Sequence, residues 1–172
     1  MTRTDPITEA RQSPRAVSWL AAYVYGTIAT LVAIGGLTFE KHPNPLSATG
    51  VIIVGAIAIW LAHAVSQLVG QRAKQQSDLH ASDVRAELWS SWPIVSAAIP
   101  GAVVMVIACF GAWSASTGLA IDEVIGIVAL TVVGMATAGG GRRSIARRVA
   151  YVVCLTGVGI AIVGLEVGVH LL

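Results

Sequence analysis

The sequence predicts an all-α membrane protein, a bundle of five transmembrane helices with the N-terminus inside and the C-terminus outside. Three observations lead there. The 172 residues are 55% hydrophobic and only 12% charged, with a mean hydropathy of +0.76, whereas soluble domains carry roughly a quarter charged residues. Uncharged runs cover Ala16 to Phe39, Pro43 to Gln71, Leu88 to Ile121, Val124 to Gly141 and Val149 to Leu165, and several exceed the roughly 20 residues that cross about 30 Å of hydrocarbon. Ten of the eleven Lys and Arg residues then fall where all ten can face one side of the membrane. Lipid offers the backbone no hydrogen-bond partners, and the runs lack the alternation of a membrane barrel strand, so each span must be a helix.

Residues 1–16 read as a polar cytoplasmic tail containing Pro6 and Pro14, and residues 17–172 as a single transmembrane domain. The first span is Val17 to Leu37. It follows a basic stretch, but its apolar core outruns the roughly 7 to 15 residues of a signal peptide, and Gly-Gly-Leu-Thr-Phe-Glu is a poor cleavage site, so a retained anchor is expected. The second span is Ala48 to Gly70. Trp60, His63, Gln67, Gly70 and Lys74 recur on it at spacings of three and four, a stripe that must face the protein interior or a wet crevice. His63, Gln67 and, on the last span, Glu166 are the intramembrane polar candidates. Such residues cost roughly 3 kcal/mol when they are charged at the centre of a span, which is why they mark function. An imidazole there can relay a proton or bind a ligand, and it can equally be a neutral group hydrogen-bonded to the next helix.

The inner connector, 71–92, carries Leu79, Val84, Leu88 and Trp92 at spacings of four or five, a pattern for a short amphipathic helix at the interface with Trp89 and Trp92 at headgroup depth. Asp83, Arg85 and Glu87 point elsewhere on that pattern. The third span is Pro93 to Trp113, with Pro93 suited to its first turn and Pro100 expected to kink it. The fourth is Leu119 to Gly139, where Asp122 and Glu123 read as charges at the start of an outward-starting helix. The fifth is Val149 to Leu171. Cys109 and Cys154 both lie inside spans and are expected to be free, buried thiols.

The basic residues now sort by side. Arg3, Arg11 and Arg15 precede span one; Arg72, Lys74 and Arg85 follow span two; Arg142, Arg143, Arg147 and Arg148 follow span four; Lys41 alone falls on the other face. Positive charge is retained in the cytoplasm, and dropping any one helix would put basic clusters on both faces, so five is the preferred count. Arg142, Arg143, Arg147 and Arg148 are expected to contact anionic lipid headgroups. The Gly-Gly-Gly-Arg-Arg run lacks the Lys-Ser/Thr pair and preceding strand of a phosphate loop, and nucleic-acid binding has no support.

With that topology Glu40, His42, Asp122, Glu123, Glu166 and His170 share the outer side. Glu166 and His170, four residues apart on one helix face, could hold a divalent metal with help from another loop, a permissive spacing and a weak signature. Capping and structural hydrogen bonding are the competing reading. Gly164 with Gly168, Gly157 seven residues earlier, and Gly134 with Ala138 form small-residue faces that suit close packing, within one chain or between copies.

No cofactor or catalytic motif names a reaction. The preferred function is a non-catalytic membrane component or subunit, packed against lipid and against a membrane-protein partner or further copies of itself. The alternative is a small proton or cation channel or transporter, single or oligomeric, which requires a polar path joining the outer acidic group to the His63 stripe. A membrane enzyme comes third, for want of a compact ligand set or a nucleophile with its base. Richness in Ala, Val, Gly and Arg points to a bacterial plasma membrane as the setting.

Overall fold

Apolar helices with few charges must bury their small-residue faces against one another and leave the larger apolar side chains outward. The computed structural model describes residues 14–38, 40, 42–75, 80–138 and 145–170. Its regular structure among these is all helical: α1 (Pro14–Thr38), α2 (Pro45–Gln75), α3 (Ala81–Ser90), α4 (Pro93–Cys109), α5 (Ala115–Ala138) and α6 (Ile145–His170). Three helices are long and apolar enough to cross a membrane, over Ser18–Thr38, Pro45–Ala73 and Ala115–Thr137, and α3 with α4, bent by 42° at their junction, makes a fourth if the pair is one span. The described apolar stretch of α6, Val149–Leu165, is shorter.

Local chemistry sets the ends. Asn44 starts α2 by accepting the Leu46 amide on its side chain at 2.9 Å, with Pro45 in the first turn, where its missing N–H costs nothing. The His80 amide donates to the Asp83 carboxylate at 3.1 Å at the start of α3. Pro93 opens α4, which continues through Pro100 to Cys109, and α3 meets α4 at a 42° bend across Ser91 and Trp92. Helix α4 stops at Cys109, four residues before the expected end of the span, because the Phe110 and Gly111 amides turn back to the Ile107 and Ala108 carbonyls and Gly111 takes a φ of +81°. That left-handed conformation suits glycine. Ser114 then accepts the Thr117 amide at 3.2 Å and starts α5 at Ala115, before the expected Leu119.

Close contacts fix how neighbours run. A Cβ built at Gly26 of α1 would stand 2.7 Å from Ile94 Cα of α4, while the α1 core residues Ile34 and Leu37 cluster with Met105 near the other end of α4, so these two helices are parallel. Gly101 and Gly118 meet Asp122 and Met105 respectively, which sets α5 antiparallel to α4. His63 lies by Tyr25 and Ile52 clusters with Ile34, which sets α2 antiparallel to α1. A Cβ built at Gly134 would stand 3.3 Å from Val152 Cα, Thr131 and Thr156 share a 2.9 Å hydroxyl hydrogen bond, and one built at Gly159 would meet Leu130, so α6 runs back along α5.

The core lies between α1, α2, α4 and α5, where Ile34, Leu37, Ala48, Ile52, Ala56, Ala98, Met105, Ala115 and Leu119 cluster. The outer surface is apolar: Val32, Val54, Val69, Val103, Phe110 and Leu165 are all at least half exposed. Cys109 and Cys154 are free, as expected, but exposed rather than buried, because both stand on outward helix faces. The small-residue faces divide. Gly134 is in contact, whereas Gly157, Gly164 and Gly168 have nothing within 4 Å of where a Cβ would stand among the described residues.

Candidate functional site

The polar residues of the bundle collect in two places. The larger is an open crevice of about 700 Å³ between α1, α2 and α3, walled by Ser18 and Tyr25 from α1, His63, Ser66 and Gln67 from α2, and Glu87, Ser90 and Ser91 from α3 and its end. Periodicity explains the α2 wall, since His63, Ser66 and Gln67 are three and four apart. The His63 ring is half-buried and lies 5.5 Å from that of Tyr25, tilted by 36°.

The third wall depends on α3 folding back against α2. Trp60 Nε1 donates to the Leu88 carbonyl at 3.1 Å, and the Trp60 and Trp92 rings meet edge to face with centroids 5.8 Å apart. The docked helix turns Glu87 inward. Its carboxylate accepts from Gln71 Nε2 at 3.0 Å and from Ser91 Oγ at 3.3 Å, and the Ser90 hydroxyl, 3.2 Å away, shares its one proton between that carboxylate and the Glu87 carbonyl at 2.9 Å. A half-buried carboxylate so held is well satisfied, so Glu87 fixes the crevice wall and leaves His63, Gln67 and Tyr25 as groups able to meet a visitor. Glu87 and Tyr25 were missed as site residues. On α3 alone Glu87 reads as a solvent-facing charge, and only contact with Gln71, sixteen residues earlier, reverses that.

The second place is a cavity of about 10 Å³, on the scale of one water, between α1, α4 and α5. Asp122 lies on its wall with Tyr23, Thr27, Thr30, Ala97 and Pro100. Asp122 is only 4% exposed, and its Oδ2 has no hydrogen-bond partner among the described residues. Asp122 therefore departs from its expected place at the start of a span: Ala115 begins the helix seven residues earlier, and the carboxyl points into the bundle against Gly101.

The rest of the outer group does not gather around it. Glu40 and His42 are exposed in the link between α1 and α2, and Glu123, next to Asp122, is half-buried. Among the described residues no three His, Cys, Asp or Glu side chains come together as a metal-holding group. The side chains of Glu166, His170, Arg147 and Arg148, and the whole of Arg142 and Arg143, lie outside the described residues.

The two polar places are separated. Ala22 and Ser91 belong to the crevice, Thr30 and Ala97 to the small cavity, and Gly26 and Ile94 stand between them on the same helix faces. There α1 and α4 touch so closely that a Cβ on Gly26 would be 2.7 Å from the Ile94 backbone. No family model, no curated protein and no solved structure matches this chain.

Proposed function

We propose that this chain is a multi-pass protein of a bacterial plasma membrane and acts there as a non-catalytic membrane component. In this reading α1, α2, α4, α5 and α6 are five spans, with the N-terminus in the cytoplasm and the C-terminus outside. Two things support the count. Successive long helices alternate in direction, and α6, with 26 residues, is about 39 Å long at 1.5 Å per residue, enough for a crossing. The same alternation leaves ten of the eleven Lys and Arg on the inner side. Arg142, Arg143, Arg147 and Arg148 then face anionic headgroups, and the crevice opens at the inner surface beside Trp89 and Trp92. A hydrogen-bonding partner meets His63, Gln67 and Tyr25 there.

The observation that carries the component reading over transport is the Gly26–Ile94 contact, which stands between the crevice and the Asp122 cavity. A conducting pathway needs polar groups or water in succession; here it would meet two backbones packed together. The test is proton flux in proteoliposomes containing the purified chain and a trapped pH indicator. The expected leak equals that of empty vesicles. A faster leak that falls in His63→Ala and Asp122→Asn would overturn the component reading and establish the second, proton transport, which the buried Asp122 favours.

A further inference from the structure

The surroundings of Asp122 are unusual for a carboxylate because they are short of donors. Thr27 and Thr30 border the same cavity, but each hydroxyl already donates its proton to its own helix, Thr27 to the Tyr23 carbonyl at 2.9 Å and Thr30 to the Gly26 carbonyl at 2.8 Å. What their oxygens have left are lone pairs. Across from them α4 presents Pro100, which has no N–H, and Gly101, where a built Cβ would stand 2.6 Å from the Asp122 carboxyl carbon. Among the described residues no Lys, Arg or His lines the cavity. Among them the titratable groups near it are Tyr23 from α1 and Glu123 beside Asp122 on α5, and α4 contributes none.

Of the hydroxyls on the wall only that of Tyr23 is uncommitted, and it makes no hydrogen bond to Asp122 Oδ2; among the described residues a carboxylate here has neither countercharge nor a bound donor on that oxygen, and burying one so is strongly unfavourable. A carboxylic acid in the same position carries no charge to bury, and the Thr27 and Thr30 oxygens on the same cavity wall keep lone pairs able to accept its one proton. We propose that Asp122 is a proton-binding site in the interior of the bundle, occupied at neutral pH while α1, α4 and α5 are in contact and emptied only when that contact opens to water. The ligand is a single proton, joining the carboxylate to form the neutral acid. The site stands whether or not the protein conducts, because it needs only the packing of α1, α4 and α5 around Asp122.

Infrared spectroscopy of the full chain in lipid nanodiscs reads this directly. At pH about 7, some three units above the ordinary aspartate value of roughly 3.9, the protein should show a protonated-carboxyl C=O band that disappears in Asp122→Asn. Carbon-13 labelling of aspartate should shift the same band in the unaltered protein, which keeps the test sound where the variant fails to fold; the other aspartates, Asp5, Asp78 and Asp83, lie in polar sequence outside the long apolar runs. An aspartate signal that is entirely carboxylate at that pH would overturn the proposal.

Discussion

At Gly101 a hydrogen is all that the contact between α4 and α5 accommodates, since a methyl group there would collide with the Asp122 carboxyl. Gly101→Ala should therefore cost about 1–3 kcal/mol, the usual range for overpacking, measured by unfolding in detergent against the unaltered chain. Gly157→Ala is the control: nothing lies within 4 Å of that site among the described residues, and alanine favours helix, so its change should stay within about 0.5 kcal/mol or be stabilising. Equal losses at the two positions would mean that the cost at Gly101 does not come from its contact with the Asp122 carboxyl. The residue scale is also where the sequence is least legible. Asp122 beside Glu123 looks like helix-start chemistry when the span is drawn from Leu119, and only Ser114 capping a helix from Ala115 turns it into an interior group. His63 and Gln67 read more easily, because a polar stripe on an otherwise apolar helix has to face something wet.

Among elements, α3 depends most on its neighbours. Ten residues long and with no buried residue of its own, it is held onto α2 by the Trp60–Leu88 hydrogen bond, the Gln71–Glu87 pair and the packing of Trp60 on Trp92. Isolated helices of this length are marginal. Trp60→Phe keeps an aromatic ring and removes the donor, so it should cost about 1 kcal/mol, the typical net worth of a hydrogen bond. Amide hydrogen exchange over Ala81–Ser90 should rise roughly fivefold as a result, with α5 unchanged; a uniform rise in both helices would show that the tryptophan supports the whole bundle instead. The five long helices themselves follow from uncharged length, and Pro45 and Pro93 mark two of their starts because a proline in the first turn displaces no helical hydrogen bond. Where α3 sits is a tertiary matter: its apolar spacing announces an interfacial helix but not the face that meets α2.

For the whole molecule, direction is the testable quantity. A reporter fused after Leu172 should be accessible only from outside the cell, and one inserted between Arg143 and Ser144 only from the cytoplasm. Both reporters on one side would reduce the number of crossings to an even count and move α6 off the membrane normal. Composition made the helical membrane class legible, and the arrangement of basic residues suggested the weave, since neither depends on side-chain contacts. The separation of the polar residues into a crevice and a small cavity was not legible, because it rests on a glycine fitting against a particular isoleucine backbone.

The core cluster draws on α1, α2, α4 and α5 and takes nothing from α6, whose described contacts are mainly with α5 through Gly134, the Thr131–Thr156 pair and Gly159. During synthesis α6 is also the last of these helices to leave the ribosome. The helices that wall Asp122 therefore all precede α6 in the chain, which leaves α6 to add its face along Gly134, Thr131 and Leu130 of α5.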